Sequence, residues 1–261
     1  MRITVFASGS TGNCSLVQDG ESELLIDAGI SLRRIAAGMS AVGAKPDGLC
    51  GVLVTHEHTD HVSGLAMLSK RHGVPIYTTR TIANRLRGMM PGIDGLVNEI
   101  VPGESFFARS MCVTAFPTPH DSADSVGYRV ESGAVLGFAT DTGHITDEMK
   151  WGLLGADTAV IEANHDEEML RYGGYPVFLK RRILSDTGHL SNTDCGILAK
   201  TLAENGTRRI ILGHLSRENN RPQTAFDTVE AAIRDCGAEL YVAPELGCLT
   251  VGVGEGAPCL A

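Results

Sequence analysis

The chain has 261 residues, of which 22 are lysine or arginine and 31 are aspartate or glutamate, so its formal net charge is −9. That length suits one large α/β domain or two small ones. The negative balance argues against a uniformly basic surface that coats nucleic acid, although it leaves room for a local basic patch. No apolar run approaches the ~20 residues that a membrane-spanning helix requires. The first residues enter a strand-like segment without an apolar leader, so we expect a cytoplasmic protein that has no membrane anchor.

Two residue types are used unusually. Glycine accounts for 31 residues, about 12% against a usual ~7%, and its scattered positions indicate many tight turns. The seven cysteines are odd in number, widely spaced and without a CxxC pair. This pattern favours a reduced protein with buried thiols over a disulfide framework. The cysteines are Cys14, Cys50, Cys112, Cys195, Cys236, Cys248 and Cys259.

In the first half of the chain, apolar patterns predict strands at residues 2–7, 23–29, 50–56, 74–79 and 111–117, and helices near 31–42, 61–72 and 80–90. In the second half, they predict strands at 125–131, 134–141, 157–163, 208–214 and 239–243, and helices near 145–154, 166–172, 192–205 and 222–236. Neither a long linker nor a repeat interrupts this order, so residues 1–261 are predicted to form one domain. Two β-rich stretches with interspersed helices predict a sheet-on-sheet core flanked by helices.

The central motif is THEHTDH at residues 55–61, which lies between a predicted strand and a predicted helix. Imidazole nitrogens and carboxylate oxygens suit Zn²⁺, Mn²⁺ or Fe²⁺. Histidines two positions apart in an extended segment point the same way, and the next two ligand-type residues face elsewhere as the chain turns into a helix. One short loop can therefore supply ligands for two ions. Its ligand-type residues are His56, His58, Asp60 and His61.

Six residues cannot complete two coordination shells, so distant ligands are required. His120, Asp141 and His214 each follow an apolar strand, and strand ends that meet at one edge of a core are where a site is usually built. We expect a first site of His56, His58 and His120, a second site of Asp60, His61 and His214, and Asp141 as a bridge between them.

With these residues in place, the sequence resembles the metallo-β-lactamase-fold hydrolases, whose pattern is HxHxDH followed by His, Asp and His. Within that superfamily it resembles the YycJ/WalJ-type group, on the stretches SGSTGNC (8–14), LVTHEHTDHVSGL (53–65), PHD (119–121), IEANHDEEML (161–170), GHLSN (188–192) and GHLSRENN (213–220). The resemblance covers nearly the whole chain. It implies a four-layer αββα sandwich with a dinuclear site at one edge. It also implies a DNA exonuclease that acts from 5′ ends, with a role in mismatch repair.

The expected chemistry is phosphodiester hydrolysis. Two ions about 3.5–4 Å apart can hold a bridging hydroxide that attacks phosphorus, and they can stabilise the leaving oxygen. We expect two divalent ions per chain, with Zn²⁺ favoured and Mn²⁺ or Fe²⁺ open. Catalytic roles are assigned to Asp60 and His189. In related nucleases, a histidine in a loop like that of His189 binds the scissile phosphate or protonates the leaving oxygen.

Several further residues are candidates, some with two interpretations. Asp27 either orients the ligands or belongs to an ordinary turn, and His144 is expected to orient the ligands. Lys180, Arg181 and Arg182 form either a solvated helix face or a basic wall that follows a nucleic-acid backbone. Asn164 and His165 either contact the substrate or cap the next helix. Ser216, Asn219 and Asn220 are expected to donate hydrogen bonds to a phosphate.

Two alternative functions stay open: a small-molecule or cyclic phosphodiesterase, lactonase or thioesterase, and a metal-binding regulator without turnover. The complete ligand set argues against the regulator.

The net charge of the site differs from that of the whole surface. Two divalent ions and the negative carboxylates of Asp60 and Asp141 would together leave a charge of about +2 at the site. Phosphate is therefore expected to be attracted there despite the acidic surface. The resemblance implies DNA as the partner, and the weak non-specific binding of an acidic protein predicts that the DNA is held at a 5′ end or along a short single-stranded segment. The sequence does not indicate an oligomeric state.

Overall fold

The computed structural model describes residues 1–254, so Cys259 and the end of the predicted domain lie outside the described residues. Fourteen strands of this range form two seven-stranded sheets. The first sheet has the order β14-β1-β2-β3-β4-β5-β6. Its strands are β1 (Arg2–Ala7), β2 (Cys14–Asp19), β3 (Ser22–Ile26), β4 (Gly51–Leu53), β5 (Ile76–Thr79), β6 (Val97–Ile100) and β14 (Leu249–Gly252).

The second sheet has the order β13-β12-β11-β10-β9-β8-β7. Its strands are β7 (Ser105–Ala108), β8 (Met111–Pro117), β9 (Val126–Glu131), β10 (Val135–Ala139), β11 (Thr158–Glu162), β12 (Arg209–Gly213) and β13 (Glu239–Val242). In each sheet one half is antiparallel and the other is parallel: β3 to β6 run parallel in the first, and β10 to β13 in the second.

Helices cover the outer faces of both sheets. They are α1 (Leu32–Ala41), α2 (Thr59–Val62), α3 (Leu65–His72), α4 (Arg80–Met89), α5 (Asp147–Leu153), α6 (Glu167–Tyr172), α7 (Val177–Ile183), α8 (Asn192–Glu204) and α9 (Pro222–Ile233). One apolar cluster lies between the sheets and includes Val17, Leu53, Val113 and Val160. A second cluster joins the first sheet to α1, α3 and α4, and a third joins the second sheet to α5, α8 and α9. The αββα sandwich that the sequence predicts is therefore confirmed.

Most predicted elements are found within a few residues of their expected bounds. The predicted helix at 61–72 is wrong in one respect, because it is divided into α2 and α3 around Gly64. A methyl carbon at Gly64 would lie 2.0 Å from the carbonyl oxygen of Ile30, so the chain passes too close to its neighbour for a regular helix with side chains. Four strands and one helix are not among the predicted elements: β2, β6, β7, β14 and α7.

The cysteines of the described residues are free. Cys14, Cys50 and Cys195 are buried as expected, whereas Cys112 and Cys236 are partly buried. Cys248 is exposed, which corrects the expectation of a buried thiol, because it lies in the irregular segment between β13 and β14 rather than in a strand. None of the helices in residues 1–254 is long and apolar enough to cross a membrane.

The parallel halves of the sheets place several chain segments at one edge of the sandwich. The ends of β10, β11 and β12 are in register, with Ala139 beside Ile161 and Glu162 beside Gly213. Because side chains just beyond parallel strands meet at the same edge, the segments after these strands come together there. Those after β3, β4 and β8 reach the same place: His61 and His120 contact Asp141, and Asp27 contacts His61.

Candidate metal centre

Three histidines form the first group at this edge. His56 and His58 lie between β4 and α2, and His120 follows β8. The Nε2 atom of His120 lies 3.4 Å from Nδ1 of His58, and the ring centroid of His56 lies 4.5 Å and 4.9 Å from those of His58 and His120. One ligand atom from each residue lies within 4.8 Å of the others. His56 and His120 are buried, whereas His58 remains 32% exposed, so the group is open to substrate on one side.

The second group consists of Asp60, His61 and His214. The Oδ2 atom of Asp60 lies 3.5 Å from Nε2 of His61 and 3.6 Å from Nε2 of His214. Ligand atoms of these three residues also lie within 4.8 Å of one another. The structure therefore brings together the three side chains of each group that the sequence predicts.

Asp141 lies between the two groups. Its Oδ2 atom lies 3.3 Å from Nε2 of His61. Its Oδ1 atom lies 3.4 Å from Nδ1 of His214 and 3.9 Å from Nε2 of His120. A carboxylate that faces both groups is placed as a bridging ligand requires.

The residues present fit divalent metal ions. The Nε2 atoms of His56 and His214 and the Oδ2 atom of Asp141 are buried without a hydrogen-bond partner among the described residues. Buried polar atoms of native proteins nearly always have partners, and a bound ion would supply one. The donors are imidazole and carboxylate throughout, with no cysteine among the grouped residues of the described chain. Such a set suits Zn²⁺ and also Mn²⁺ or Fe²⁺.

The two groups differ in electrostatics. Burial lowers the pKa values of His56, His58 and His120, so these imidazoles stay neutral with lone pairs available. Burial also lowers the pKa of His214, but the charge of Asp141, the Asp60 carboxylate 3.6 Å from Nε2 and the hydrogen bond with Glu162 outweigh it and raise that pKa to about 10. The second group therefore attracts positive charge, and metal binding there would displace protons.

Glu162 is a site residue that the sequence prediction missed. It is the last residue of β11 and is fully buried. Its Oε1 atom lies 2.8 Å from Nδ1 of His189 and 2.9 Å from Nδ1 of His214. Its Oε2 atom accepts hydrogen bonds from the backbone N–H groups of Thr142 and Leu190. Glu162 thus fixes the orientation of both rings, and its only sequence signal is a carboxylate at the end of an apolar strand.

His189 is held beside this network. Its ring centroid lies 5.2 Å and 5.3 Å from those of His120 and His214, and its side chain is 19% exposed. Burial lowers its pKa, but the charge of Glu162 and the hydrogen bond to it prevail, so the pKa of His189 is raised above its ordinary value. This upward shift of the pKa favours the protonated imidazole, which is suited to contact an anionic substrate.

Asp27 supports His61 from behind. Its Oδ2 atom lies 2.7 Å from Nδ1 of His61, and its Oδ1 atom accepts a hydrogen bond from the N–H of Thr55.

Three residues of the site have an uncommon backbone conformation. Asp27, Asp141 and His214 all have positive φ angles, of 59°, 57° and 55°. Backbone conformations that are uncommon outside glycine cluster at functional sites, and here they let the chain turn sharply after each strand.

We expect Asp27→Asn to weaken metal binding about 10- to 100-fold, because the amide keeps the shape but removes the charge that raises the basicity of His61. Competition against a chromophoric chelator would measure the affinity. Asp157→Asn is the matched control, because Asp157 accepts a hydrogen bond from Val135 at the opposite end of β10. Equal affinities for both variants would contradict the supporting role.

The loop between β1 and β2 also reaches the site. Asn13 donates from Nδ2 to Nε2 of His61 at 2.9 Å and to Oδ2 of Asp60 at 3.3 Å, and its N–H donates to the carbonyl oxygen of Asp60. Gly29 packs against the same carbonyl, where a methyl carbon would lie at 1.6 Å. The loop and Gly29 together fix the backbone at Asp60, a contact between distant segments that the sequence did not indicate.

Gly29→Ala should therefore lower the free energy of unfolding by about 3 kcal/mol, the upper end of overpacking effects, and should weaken metal binding by displacing Asp60. Gly88→Ala is the control, because Gly88 lies in α4 with open space at its Cβ position and should gain about 0.5–1 kcal/mol. Urea denaturation and metal titration would measure the two effects. A Gly29→Ala protein as stable as the Gly88→Ala protein would show that the loop relaxes freely.

The remaining predicted residues separate into two sets. His165 is buried and lines a cavity of about 250 Å³ together with His189. The other four form hydrogen bonds within the protein. Asn164 donates to the carbonyl oxygen of His214, and Asn220 donates to the side-chain oxygen of Asn192. Ser216 accepts from the backbone N–H of Asn219, which is itself buried. We therefore do not propose these four as substrate contacts, because the hydrogen bonds hold the loop that carries His214.

His144 does not support the ligands as expected. It is exposed, and its Nδ1 atom lies 2.8 Å from the carbonyl oxygen of Asp186.

Of the basic cluster Lys180, Arg181 and Arg182, one member reaches the first group of histidines. Arg182 contacts Asp121. The Oδ1 atom of Asp121 lies 3.2 Å from Nε2 of His120 and 3.6 Å from Nε2 of His58. Arg182, one of the three cations of the possible basic wall, therefore borders the first group through Asp121, a residue to which the sequence analysis assigned no role.

Comparisons with known proteins agree with this geometry. A model of the beta-lactamase superfamily domain matches residues 22–215. The exodeoxyribonuclease YycJ of Bacillus anthracis is 35% identical over 241 residues, 91% of this chain and 90% of that protein. The exodeoxyribonuclease WalJ of Streptococcus pneumoniae is 35% identical over 233 residues, 87% of this chain and 86% of that protein. The crystal structure of YhfI from Bacillus subtilis, a metallo-beta-lactamase fold protein, superimposes with a TM-score of 0.75 at 18% identity, covering 96% of this chain and 98% of that one.

Proposed function

This chain belongs to the metallo-β-lactamase superfamily as a metallo-hydrolase of the YycJ/WalJ type, and from that premise we propose that it is a DNA exonuclease that acts from 5′ ends. The proposal includes two divalent metal ions, with Zn²⁺ favoured over Mn²⁺ or Fe²⁺. A nuclease that starts at an end can remove a nicked strand, so DNA repair is the process we propose for it.

One observation carries the proposal. Two groups of imidazole and carboxylate ligand atoms meet at Asp141, and buried atoms of both groups lack partners within residues 1–254. The relatives with 35% identity are named exodeoxyribonucleases over nearly the same length. A two-ion site built from oxygen and nitrogen donors is a common solution for in-line displacement at phosphorus, so both lines of support favour the same reaction class.

We propose that His56, His58 and His120 hold the first ion, that Asp60, His61 and His214 hold the second, and that Asp141 bridges them. When bound, such ions supply Lewis-acid stabilisation of the phosphoryl oxygens and a nucleophilic water of lowered pKa. Asp60 has a pKa far below its ordinary value, because the imidazoles of His214 and His61, 3.6 Å and 3.5 Å from its Oδ2 atom, outweigh its burial. Its carboxylate therefore stays ionised at neutral pH and can also orient the nucleophile.

His189 is proposed as the group that donates a proton to the leaving oxygen. Glu162 holds Nδ1 of His189 at 2.8 Å, which leaves Nε2 as the atom that can face the substrate. A leaving alkoxide needs a proton, and an imidazole positioned within reach can supply it. The same carboxylate oxygen also holds His214 at 2.9 Å, so the proton donor and one proposed ligand are positioned by a single residue.

End-labelled DNA separates this function from its alternatives. The metal-loaded protein should release the label of a 5′-labelled oligonucleotide as a mononucleotide in the first turnovers, whereas a 3′-labelled strand should shorten step by step. Zn²⁺ and Mn²⁺ should be compared in parallel. Intact DNA together with hydrolysis of bis-p-nitrophenyl phosphate or a lactone would favour a small-molecule hydrolase. A metal-loaded protein that is inert towards every ester would favour a regulator.

A further inference from the structure

An exposed apolar surface lies next to the candidate metal centre, on the segment that runs from the end of α6 through α7. Its side chains are Tyr172, Val177, Phe178 and Leu184, which are 79%, 66%, 74% and 60% exposed. We name these four residues the α6–α7 patch. Four large apolar side chains exposed within 13 residues of sequence need an explanation, because exposed apolar clusters mark interaction sites.

Cations alternate with the patch residues. Arg171 precedes Tyr172, and Lys180, Arg181 and Arg182 follow Phe178 within α7. On a helix, Phe178 shares a face with the residues three and four positions later, which are Arg181 and Arg182. Nζ of Lys180 donates to the carbonyl oxygen of Arg171 at 2.7 Å, so the end of α6 and the body of α7 are held together as one surface. Apolar rings and positive charges are therefore interleaved on a protein whose net charge is −9.

The helix that carries most of the patch reaches the candidate metal centre on two sides. Lys180 and Leu184 line the same cavity of about 250 Å³ as His165 and His189. His165 lies in the wall of this cavity, and both of its ring nitrogens are buried without a partner among residues 1–254. On the other side, Arg182 contacts Asp121, which lies 3.6 Å from His58. A molecule held at the metal centre can therefore extend directly onto the patch.

We propose that the α6–α7 patch binds the single-stranded part of the DNA substrate as it leaves the metal centre. Bases stack on the rings of Tyr172 and Phe178, and backbone phosphates lie against Arg171, Lys180 and Arg181. The inference rests on the proposed exonuclease function and adds the substrate form. Stacking requires bases that are free of a duplex, and aromatic rings interleaved with cations are how proteins bind single strands without reading sequence. A second copy of this chain fits less well, because a symmetric contact would place the cations of one patch against those of the other and because two chains of net charge −9 repel each other.

A length series tests the proposal with an internal control. A dinucleotide reaches only the metal centre, whereas a single strand of ten nucleotides also reaches the patch. Phe178→Ala and Tyr172→Ala should each raise KM for the longer strand about tenfold, the loss expected for one stacked base, and leave KM for the dinucleotide and kcat unchanged. Phe107→Ala is the matched control, because Phe107 is 71% exposed on β7. It should change neither KM.

Binding provides a second readout. Fluorescence anisotropy with a phosphorothioate oligothymidylate, which resists hydrolysis, measures affinity of the metal-loaded protein across a range of salt. Arg181→Met should reduce the slope of log affinity against log salt by about 0.7, as expected when one phosphate contact of a single strand is lost. A slope unchanged by this substitution would overturn the placement of the backbone along α7.

The outcomes separate the inference from the function on which it rests. Wild-type protein that leaves all DNA intact would overturn the proposed function. Wild-type protein that degrades DNA, with Phe178→Ala and Phe107→Ala behaving alike on the longer strand, would overturn only the patch. Sedimentation velocity completes the test: a change of oligomeric state in Phe178→Ala with an unchanged KM would assign the patch to self-association and would also overturn the proposal.

Discussion

Replacing Asp141 with asparagine should lower turnover of a phosphodiester by about 10³-fold or more, since loss of ion stabilisation is worth several kcal/mol of barrier. Asp141 is the residue whose two oxygens face both groups of ligand atoms, with Oδ2 3.3 Å from His61 and Oδ1 3.4 Å from His214. Asparagine keeps the size but replaces one oxygen by an NH₂ group, which cannot bind a metal. The negative charge that would hold the two proposed cations close together is also lost.

Metal content should fall with activity in this variant. Elemental analysis after gel filtration should find two ions per chain in the wild-type protein and one or none in Asp141→Asn, and excess metal should restore little turnover. Asp157→Asn serves again as the control for an Asp-to-Asn change in the same sheet and should keep both ions. Full activity with one ion bound in Asp141→Asn would contradict the two-ion proposal and leave a mononuclear hydrolase.

The two ligand groups could be predicted because their sequence signals are local. His56, His58 and His61 fall within one short loop, and His120, Asp141 and His214 each follow an apolar strand. The edge at which strands end is common to the fold, so residues in that position meet even when their separation in sequence is large. The pattern therefore indicated both the residues and their division into two groups.

The residues that hold the ligands in place were harder to find, because their roles depend on the order of the strands. Glu162 looks like any polar residue at a strand end until β11 is placed between β10 and β12, where its two oxygens reach Thr142 on one side and His214 on the other. Asn13 contacts His61 only because the β1–β2 loop folds over Gly29. No spacing rule within one segment gives such a contact.

The exposed helix α7 was missed for the opposite reason. Its apolar residues Val177 and Phe178 face solvent, so they do not follow the periodicity by which core-facing helices are recognised. The strand β6 is similar, since Asn98 and Glu99 are exposed at the edge of the first sheet. Elements that lack a buried apolar face leave little signal in the sequence. At α7, the apolar residues that face solvent instead of the core belong to the surface that we propose for DNA.

His189→Ala should lower kcat for DNA by about 10²- to 10⁴-fold, the range for loss of a general acid or base, while both ions stay bound. His189 is held by Glu162 at 2.8 Å and lies beside both groups, yet it belongs to neither proposed set of ligands. The decisive comparison is between leaving groups. The alkoxide that leaves from DNA needs a proton, whereas p-nitrophenolate leaves without one, so bis-p-nitrophenyl phosphate should lose far less turnover than DNA in the same variant.

The choice of substrate makes this result specific for a proton donor. If His189 only bound the phosphate, both substrates would lose turnover to the same extent, because both carry the same phosphodiester charge. If His189 were a metal ligand, which its place within 4.8 Å of ligand atoms of Asp141, Glu162 and His214 permits, elemental analysis would find a missing ion. Glu162→Gln provides a graded version of the change, because glutamine keeps the contact with Nδ1 but removes the charge that raises the pKa of His189. It should retain more turnover on DNA than His189→Ala and show the same preference for the p-nitrophenyl ester.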